Sequence, residues 1–133
     1  MTFNEKYKGN IILVKSFNFA VKVVQYAELP QERRKYVLAR QIMKSGTFIG
    51  ANIKEAQNAE SKADFIHKMK IAAKEADETE YWLFLCEAIK SYPHCKELLY
   101  EVFKILKILN KIITTSKTGR NYLSEPAANW HIN

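Results

Sequence analysis

The sequence predicts an all-α protein, an antiparallel up-down-up-down four-helix bundle, and three observations support this prediction. Hydrophobic residues make up 47 % of the 133 residues, whereas only 4 Gly and 3 Pro are present, which disfavours a turn-rich β fold and disorder. Apolar side chains recur at steps of three and four along four long stretches, as in helices that pack against other helices. Only a few residues separate these stretches, and short connections favour antiparallel neighbours.

We expect one domain over residues 10–119, between a mobile N-terminal lead of residues 1–9 and a C-terminal tail of residues 120–133. The first helix begins near Asn10, a good N-cap residue, and ends near Leu29, before Pro30. Its predicted core line is Leu13, Phe17, Ala20, Val24 and Ala27. Apolar side chains on its other sides exceed what one neighbour would cover, which is a first indication of an oligomer. They are Ile12, Phe19, Val23 and Tyr26.

The second predicted helix covers residues 31–57 and contains two glycines, Gly46 and Gly50. Each costs about 1 kcal/mol relative to alanine in a helix interior, so the pattern indicates that small residues are needed there. Close approach of another backbone is the simplest explanation, and a local kink is the alternative. The predicted core line of this helix is Ala39, Ile42, Gly46, Ile49, Ile53 and Ala56.

The third predicted helix has Ser61 as its N-cap and runs to Ile89. Its core line is Phe65, Met69, Ala72, Ala76, Thr79, Leu83 and Cys86. The fourth predicted helix begins after Ser91 and Tyr92, with Pro93 in its first turn, and ends near residues 117–119. Its core line is Leu98, Val102, Ile105, Leu109 and Ile112.

The formal charge of +7 favours acidic partners such as nucleic acid, but it is not spread evenly along the chain. Residues 31–57 contain six basic and two acidic residues, whereas residues 58–90 contain five basic and seven acidic ones. The predicted nucleic-acid-binding residues form one basic strip on the second helix and another on the fourth. They are Arg33, Arg34, Arg40, Lys44 and Lys54, and Lys104, Lys107 and Lys111. A solvated face that keeps the protein soluble is the alternative interpretation.

The basic strips contain few aromatic residues, so we expect them to recognise shape and charge without stacking on single-stranded bases. Two carboxylates, Glu75 and Glu78, lie beside Trp82 on the third helix. One turn apart, they could perform acid/base chemistry, but we favour a structural role in binding Arg, Lys or backbone donors. We also interpret Asn52 and Glu55 as structural residues, and the Asn52 amide could cross-link helices.

We predict no catalytic residue, metal site or cofactor, and therefore no enzyme. The three histidines are scattered, no Gly-rich phosphate loop is present, and Asp64 is better explained as a helix-capping residue than as a metal ligand. Cys86 and Cys95 are expected to be small core residues in a reducing compartment. Neither a signal peptide nor an apolar run of the ~18 residues needed to span a membrane is evident, so we expect a cytoplasmic protein.

Residues 45–83 resemble the signature of the bacterial four-helix bundle proteins named for 23S rRNA intervening sequences. The resemblance rests on an Asn-Ile-x-Glu-Ala block at residues 52–56, a Ser-Lys-x-Asp-Phe start at residues 61–65 and a Lys-Glu-Ala-x-Glu-Thr-x-Tyr-Trp-Leu block at residues 74–83. It implies a homopentameric ring of bundles and a reading frame inside inserted segments of 23S rRNA genes. A related branch, the accessory variability determinant of diversity-generating retroelements, binds nucleic acid and a reverse transcriptase.

Two functions remain open at this stage. The first is an oligomeric, non-enzymatic module that binds RNA or DNA through the two basic strips, which repetition around a ring would strengthen. The second is a structural or protein-interaction assembly, such as a reverse-transcriptase accessory or a scaffold, with no direct nucleic-acid role.

Overall fold

The computed structural model describes residues 1–32 and 36–118, and every regular element in that part of the chain is an α-helix. The all-α prediction is therefore confirmed. A single turn, α1, precedes four long helices that correspond to the four predicted ones. The helices are α1 (Phe3–Lys6), α2 (Ile11–Glu32), α3 (Tyr36–Ala56), α4 (Lys62–Ala88) and α5 (Lys96–Thr118). The predicted tail, together with Arg33 and Arg34, lies outside the described residues.

The four long helices surround one hydrophobic core. α2 packs against α3 and α5, and α4 packs against the same two helices, so α3 and α5 lie across the core from each other. Large side chains from all four helices are fully buried, among them Phe19, Ile49, Phe65 and Leu109. No helix in residues 1–32 and 36–118 has the length and apolar character needed to cross a membrane.

The predicted core lines of α3 and α4 are confirmed, because every member of both lines is buried. The core line predicted for α2 is wrong at three of its five positions. Phe17 is exposed, and Ala20 and Val24 are only partly buried. Leu13 and Ala27 are buried as predicted. A second buried line contains Ser16, and this polar residue interrupts the apolar pattern in the sequence. Its members are Ile12, Ser16, Phe19, Val23 and Tyr26.

Ser16 belongs in the core because of the glycines on the opposing helix. A Cβ atom at Gly50 would lie 3.2 Å from Ser16 Oγ, and one at Gly46 would lie 2.7 Å from Val23 Cγ1. The Ser16 hydroxyl is satisfied within its own helix, donating to the Leu13 carbonyl at 2.9 Å. The glycines therefore allow a close approach of α2 to α3, as the sequence predicts, and α3 is continuous through both of them.

Helix boundaries differ from the predictions at two prolines. α2 continues through Pro30 to Glu32, since a proline removes one donor yet has a helical φ angle. Pro93 precedes α5 instead of occupying its first turn, and its carbonyl accepts a 2.6 Å hydrogen bond from the Tyr26 hydroxyl. In the last part of α5 the buried residue is Ile113, not the predicted Ile112.

Residues 1–9, predicted to be a mobile lead, instead make specific contacts. Thr2 and Glu5 form a capping box around α1, and the Phe3 ring stacks on Phe17 with 4.1 Å between the ring centroids. Asn4 donates a hydrogen bond to Asn18 at 3.1 Å. The stacked ring gives Phe17 an apolar neighbour outside the main core, which is why this side chain does not have to face inward.

We expect the effect of Gly46→Ala on the free energy of unfolding to change sign when the residue at position 23 is changed. Overpacking against the stiff, buried Val23 costs about 1–3 kcal/mol and outweighs the gain of about 1 kcal/mol in helix propensity, so the single variant should be less stable. In a Val23→Ala background only the Cβ of residue 23 remains, 3.3 Å away, so most of the clash is relieved and the same substitution should stabilise by up to about 1 kcal/mol. Denaturant unfolding of the four proteins of this cycle measures both effects. An equal loss of stability in both backgrounds would contradict the close-approach explanation.

Candidate nucleic-acid interface

The basic strip of α3 is only partly available to a ligand. Arg40 and Lys44 are exposed, one helical turn apart. Lys54 is half-buried, and its Nζ lies 5.4 Å from the centroid of the Tyr7 ring, a cation–π contact with the N-terminal segment. The described part of this strip is therefore a two-residue basic patch, with a third cation held by an aromatic ring.

The basic strip of α5 is fully presented to solvent. Lys104, Lys107 and Lys111 are all exposed, and spacings of three and four residues place them on one face of the helix. Within residues 1–32 and 36–118, none of the three forms an ion pair with a carboxylate.

The acids of α5 are directed toward α2. Lys22 Nζ lies 3.2 Å from Glu97 Oε1 and 2.8 Å from Glu101 Oε1, and these hydrogen bonds raise the pKa of Lys22. Lys22 engages both carboxylates and offsets part of their charge, and the three lysines outnumber them, so this part of α5 has a net positive surface.

Aromatic rings interleave with the lysines of α5, contrary to the expectation from the sequence. Tyr100 and Phe103 are 61% and 50% exposed. Lys104 Nζ lies 4.5 Å from the Tyr100 centroid, and Lys107 Nζ lies 5.4 Å from the Phe103 centroid. Each lysine follows its ring by four residues, and this spacing brings the side chains together on a helix surface. Exposed cation–π contacts of this kind contribute only about 0.5–1 kcal/mol each, so the lysines are free to rearrange.

The two predicted basic strips do not converge into a single site on one subunit. α3 and α5 lie across the core from each other, and their solvent-facing sides point in different directions. A nucleic acid could contact both strips only by passing around the molecule or by bridging subunits of an oligomer. The sequence could not show this, because the arrangement depends on which helices are neighbours.

Glu75 and Glu78 occupy partly buried positions on the side of α4 that faces α3. Glu78 Oε2 accepts a 3.2 Å hydrogen bond from Trp82 Nε1 within the same helix. Burial and the neighbouring Glu78 raise the pKa of Glu75, against the opposing influence of Lys74 and Lys44. Lys44 of α3 is thus close enough to influence Glu75, but the described residues show no ion pair between them, so the structural role of these carboxylates stays a prediction.

The Asn52 amide does not cross-link helices within the described residues. Its Nδ2 donates to the Phe48 carbonyl of the same helix at 2.8 Å, and Glu55 is exposed. The polar link between α3 and α4 is instead buried, where the Thr79 hydroxyl lies 2.8 Å from Ser45 Oγ. Thr79 is the one residue with a hydroxyl group on the otherwise apolar core line predicted for α4, and this feature of the sequence indicates a polar contact in the core.

The cysteines and the other titratable groups of the described residues show no activated nucleophile. Cys86 and Cys95 are buried, free thiols, and burial raises the pKa of Cys95 to about 12. Such a thiol stays protonated at neutral pH and reacts slowly. No group of three or more His, Cys, Asp or Glu side chains suited to a metal ion occurs in residues 1–32 and 36–118.

These observations define the class of protein as a small all-helical one with exposed basic strips on two of its helices. The chain belongs to the family of 23S rRNA-intervening sequence proteins, whose model matches residues 8–111. The resemblance noted from the sequence is therefore confirmed. A comparison with curated proteins gives no match.

A similar solved structure comes from Bacteroides thetaiotaomicron VPI-5482. It is the crystal structure of a protein with unknown function from the S23 ribosomal protein family, 43% identical to this chain. The alignment covers 78% of this chain and 99% of that one, with a TM-score of 0.75. The helical fold described above is thus shared with a family member of known structure.

We expect Glu75→Gln to stabilise the protein at neutral pH. A raised pKa in the folded state means that the folded protein binds this proton more tightly than the unfolded chain. The unfolding free energy therefore falls as the pH rises from about 4.3, the usual carboxyl value, through the raised value. Above that window the ionised carboxylate is unfavourable, so its removal should raise the melting temperature at pH 7 and flatten this pH dependence.

The matched control is Asp77→Asn, which removes one negative charge from an exposed position of the same helix. This variant removes the same charge where solvent screens it, so it should not raise the melting temperature at pH 7 as Glu75→Gln does. A lower melting temperature of Glu75→Gln at pH 7 would contradict the prediction and would indicate that the carboxylate makes a stabilising ion pair.

Proposed function

We propose that this protein is a cytoplasmic, non-enzymatic, oligomeric nucleic-acid-binding protein associated with 23S rRNA intervening sequences. The observation that carries this proposal is the exposed face of α5, where three lysines lack a carboxylate partner among the described residues. Arg40 and Lys44 of α3 add a second, smaller patch. Phosphates of RNA or DNA are the ligands that such clustered cations attract, and the contacts would carry no sequence preference.

We infer that the four long helices form an antiparallel up-down-up-down bundle. Between neighbouring helices, residues that come later in one helix contact residues that come earlier in the other, and this order supports an antiparallel arrangement. On α2 and α3, Ser16 faces Gly50 and Val23 faces Gly46. On α2 and α5, Tyr26 bonds to Pro93 before α5, while Lys22 bonds to Glu101 further along it.

We propose that the protein forms a homo-oligomer, and that this oligomer is a pentamer, as the resemblance to the family implies. The exposed apolar side chains support a homo-oligomer, because more large ones are exposed on the single subunit than scattered surface residues would explain. They are Tyr36, Val37 and Phe48 on α3 and Tyr81 and Phe84 on α4. Around a ring, weak phosphate contacts on each subunit would add up to a strong interaction.

A protein-interaction assembly, for example with a reverse transcriptase, is the second candidate. The same exposed apolar side chains of α3 and α4 favour it, because aromatic residues are enriched at protein interfaces. In this case the basic strips would serve solubility alone. The two candidates differ in whether the protein binds nucleic acid in the absence of another protein.

Salt titration of nucleic-acid binding separates these functions. We expect a labelled structured RNA and a DNA duplex to bind at about 50 mM salt, with log affinity falling linearly against log salt concentration. Replacing the three α5 lysines with Gln should make this slope shallower by about 2–3, because three phosphate contacts are lost. Replacing Arg40 and Lys44 should have a smaller effect, since only two charges are removed. The α5 substitutions are Lys104→Gln, Lys107→Gln and Lys111→Gln.

A matched control removes three exposed lysines from other surfaces, namely Lys8, Lys74 and Lys90. It changes the net charge by the same amount but should leave the slope close to that of the unmodified protein. Equal slopes for the two triple variants would reject α5 as the binding face. No binding of the structured RNA, the duplex or an unpaired strand at low salt would reject the proposed function and favour the protein-interaction assembly.

A further inference from the structure

The outward face of α5 combines two exposed rings with three exposed lysines in an ordered series. Tyr100 and Phe103 come first along the helix, and Lys104, Lys107 and Lys111 follow. At 1.5 Å per residue, the rings are about 4.5 Å apart along the axis and the whole series spans about 16 Å. This combination of flat apolar surface and cationic charge exceeds what phosphate binding alone requires.

Each ring is coupled to a cation within the same face. The ammonium groups of Lys104 and Lys107 lie 4.5 Å and 5.4 Å from the centroids of Tyr100 and Phe103. A lysine in this position can hold the ring while the surface is empty and turn to a phosphate when a base occupies the ring. Cations beside aromatic platforms are the arrangement by which proteins bind single-stranded nucleic acid without sequence preference.

The two carboxylates of α5 lie at the edge of this face. Glu101 precedes Lys104 by three residues and lines a small cavity together with it, and the Glu97 side chain is 77% exposed. Lys22 of α2 bonds to both acids, which offsets part of their negative charge beside the lysines. The three lysines outnumber the two carboxylates, and Lys107 and Lys111 lie further along the helix, away from them.

We propose that the α5 face binds single-stranded nucleic acid, with unpaired bases stacked on Tyr100 and Phe103 and phosphates bound by Lys104, Lys107 and Lys111. This inference rests on the proposed function and specifies its ligand. A duplex is a poorer ligand for this face, because its bases are already stacked on one another and cannot reach rings on a convex helix surface. At the 3.4 Å per nucleotide of a duplex strand, 16 Å corresponds to no more than about five nucleotides.

The test compares strands that have the same phosphates but differ in their bases. Fluorescently labelled oligo(rU) and oligo(dU) of ten nucleotides are titrated beside an abasic ten-nucleotide strand and a duplex of equal length. The unmodified protein should bind both base-bearing strands about tenfold or more tightly than the abasic strand. A difference between oligo(rU) and oligo(dU) would show whether the 2′-hydroxyl contributes, and either strand can support the proposal.

Tyr100→Leu and Phe103→Leu remove the flat rings but keep apolar side chains at these positions. The double variant should bind base-bearing and abasic strands almost equally, with an unchanged salt dependence. The control Phe3→Leu with Phe17→Leu removes two stacked rings from the N-terminal segment and α2, outside the proposed subunit contacts, and should keep the preference for bases. Melting temperature and mass by light scattering verify that each variant folds and assembles.

Three outcomes would overturn the inference. Equal binding of base-bearing and abasic strands by the unmodified protein would be consistent with phosphate binding but would contradict base stacking. A double variant that retains its base preference would place the stacking elsewhere. A change of oligomeric mass in the Tyr100→Leu, Phe103→Leu variant would show that the rings form a contact between subunits. Failure of every strand to bind would reject the proposed function itself, so the two failures are distinguishable.

Discussion

The close approach of α2 to α3 at Gly46 and Gly50 is the packing constraint on which the other contacts depend. It lets Ser16 and Val23 lie against the glycines, so the face of α2 that contains Ile12, Phe19 and Tyr26 becomes the buried one. With α2 in this orientation, Tyr26 reaches the Pro93 carbonyl and Lys22 reaches the acids of α5. These contacts join α5 to α2, while the larger interface of α5 is with α4.

The rotation of α5 determines which of its charges face solvent. Its acids point toward Lys22, while its lysines and two aromatic rings point outward. The acids and the lysines occupy adjacent strips, because Glu101 precedes Lys104 by three residues. The hydrogen bonds to Lys22 are partly exposed and contribute little stability individually. They hold the two carboxylates at the edge of the lysine face, where we propose that nucleic acid binds.

The acidic side of the molecule has a different character. The charge balance of residues 58–90 is slightly negative, and the pair Glu75 and Glu78 lies next to α3, where Lys44 is nearby. An anionic polymer on the α3 patch would therefore experience both attraction and repulsion. On α5 the two carboxylates beside the lysines are bonded to Lys22, which offsets part of their repulsion and makes this helix the stronger of the two candidate surfaces.

The amino-acid sequence by itself determined the helical class, the four long helices and the buried faces of α3 and α4, because the spacing of apolar residues is a local property of each helix. Its pattern for α2 was misleading, since a serine can be buried only where a glycine on another helix makes room for it. The four-residue spacing that pairs each α5 lysine with a ring is also local, but the exposure of both rings depends on how α5 packs. Only the tertiary structure decided that the α3 and α5 strips lie on different sides, because the neighbours of a helix are set by packing and not by its own residues.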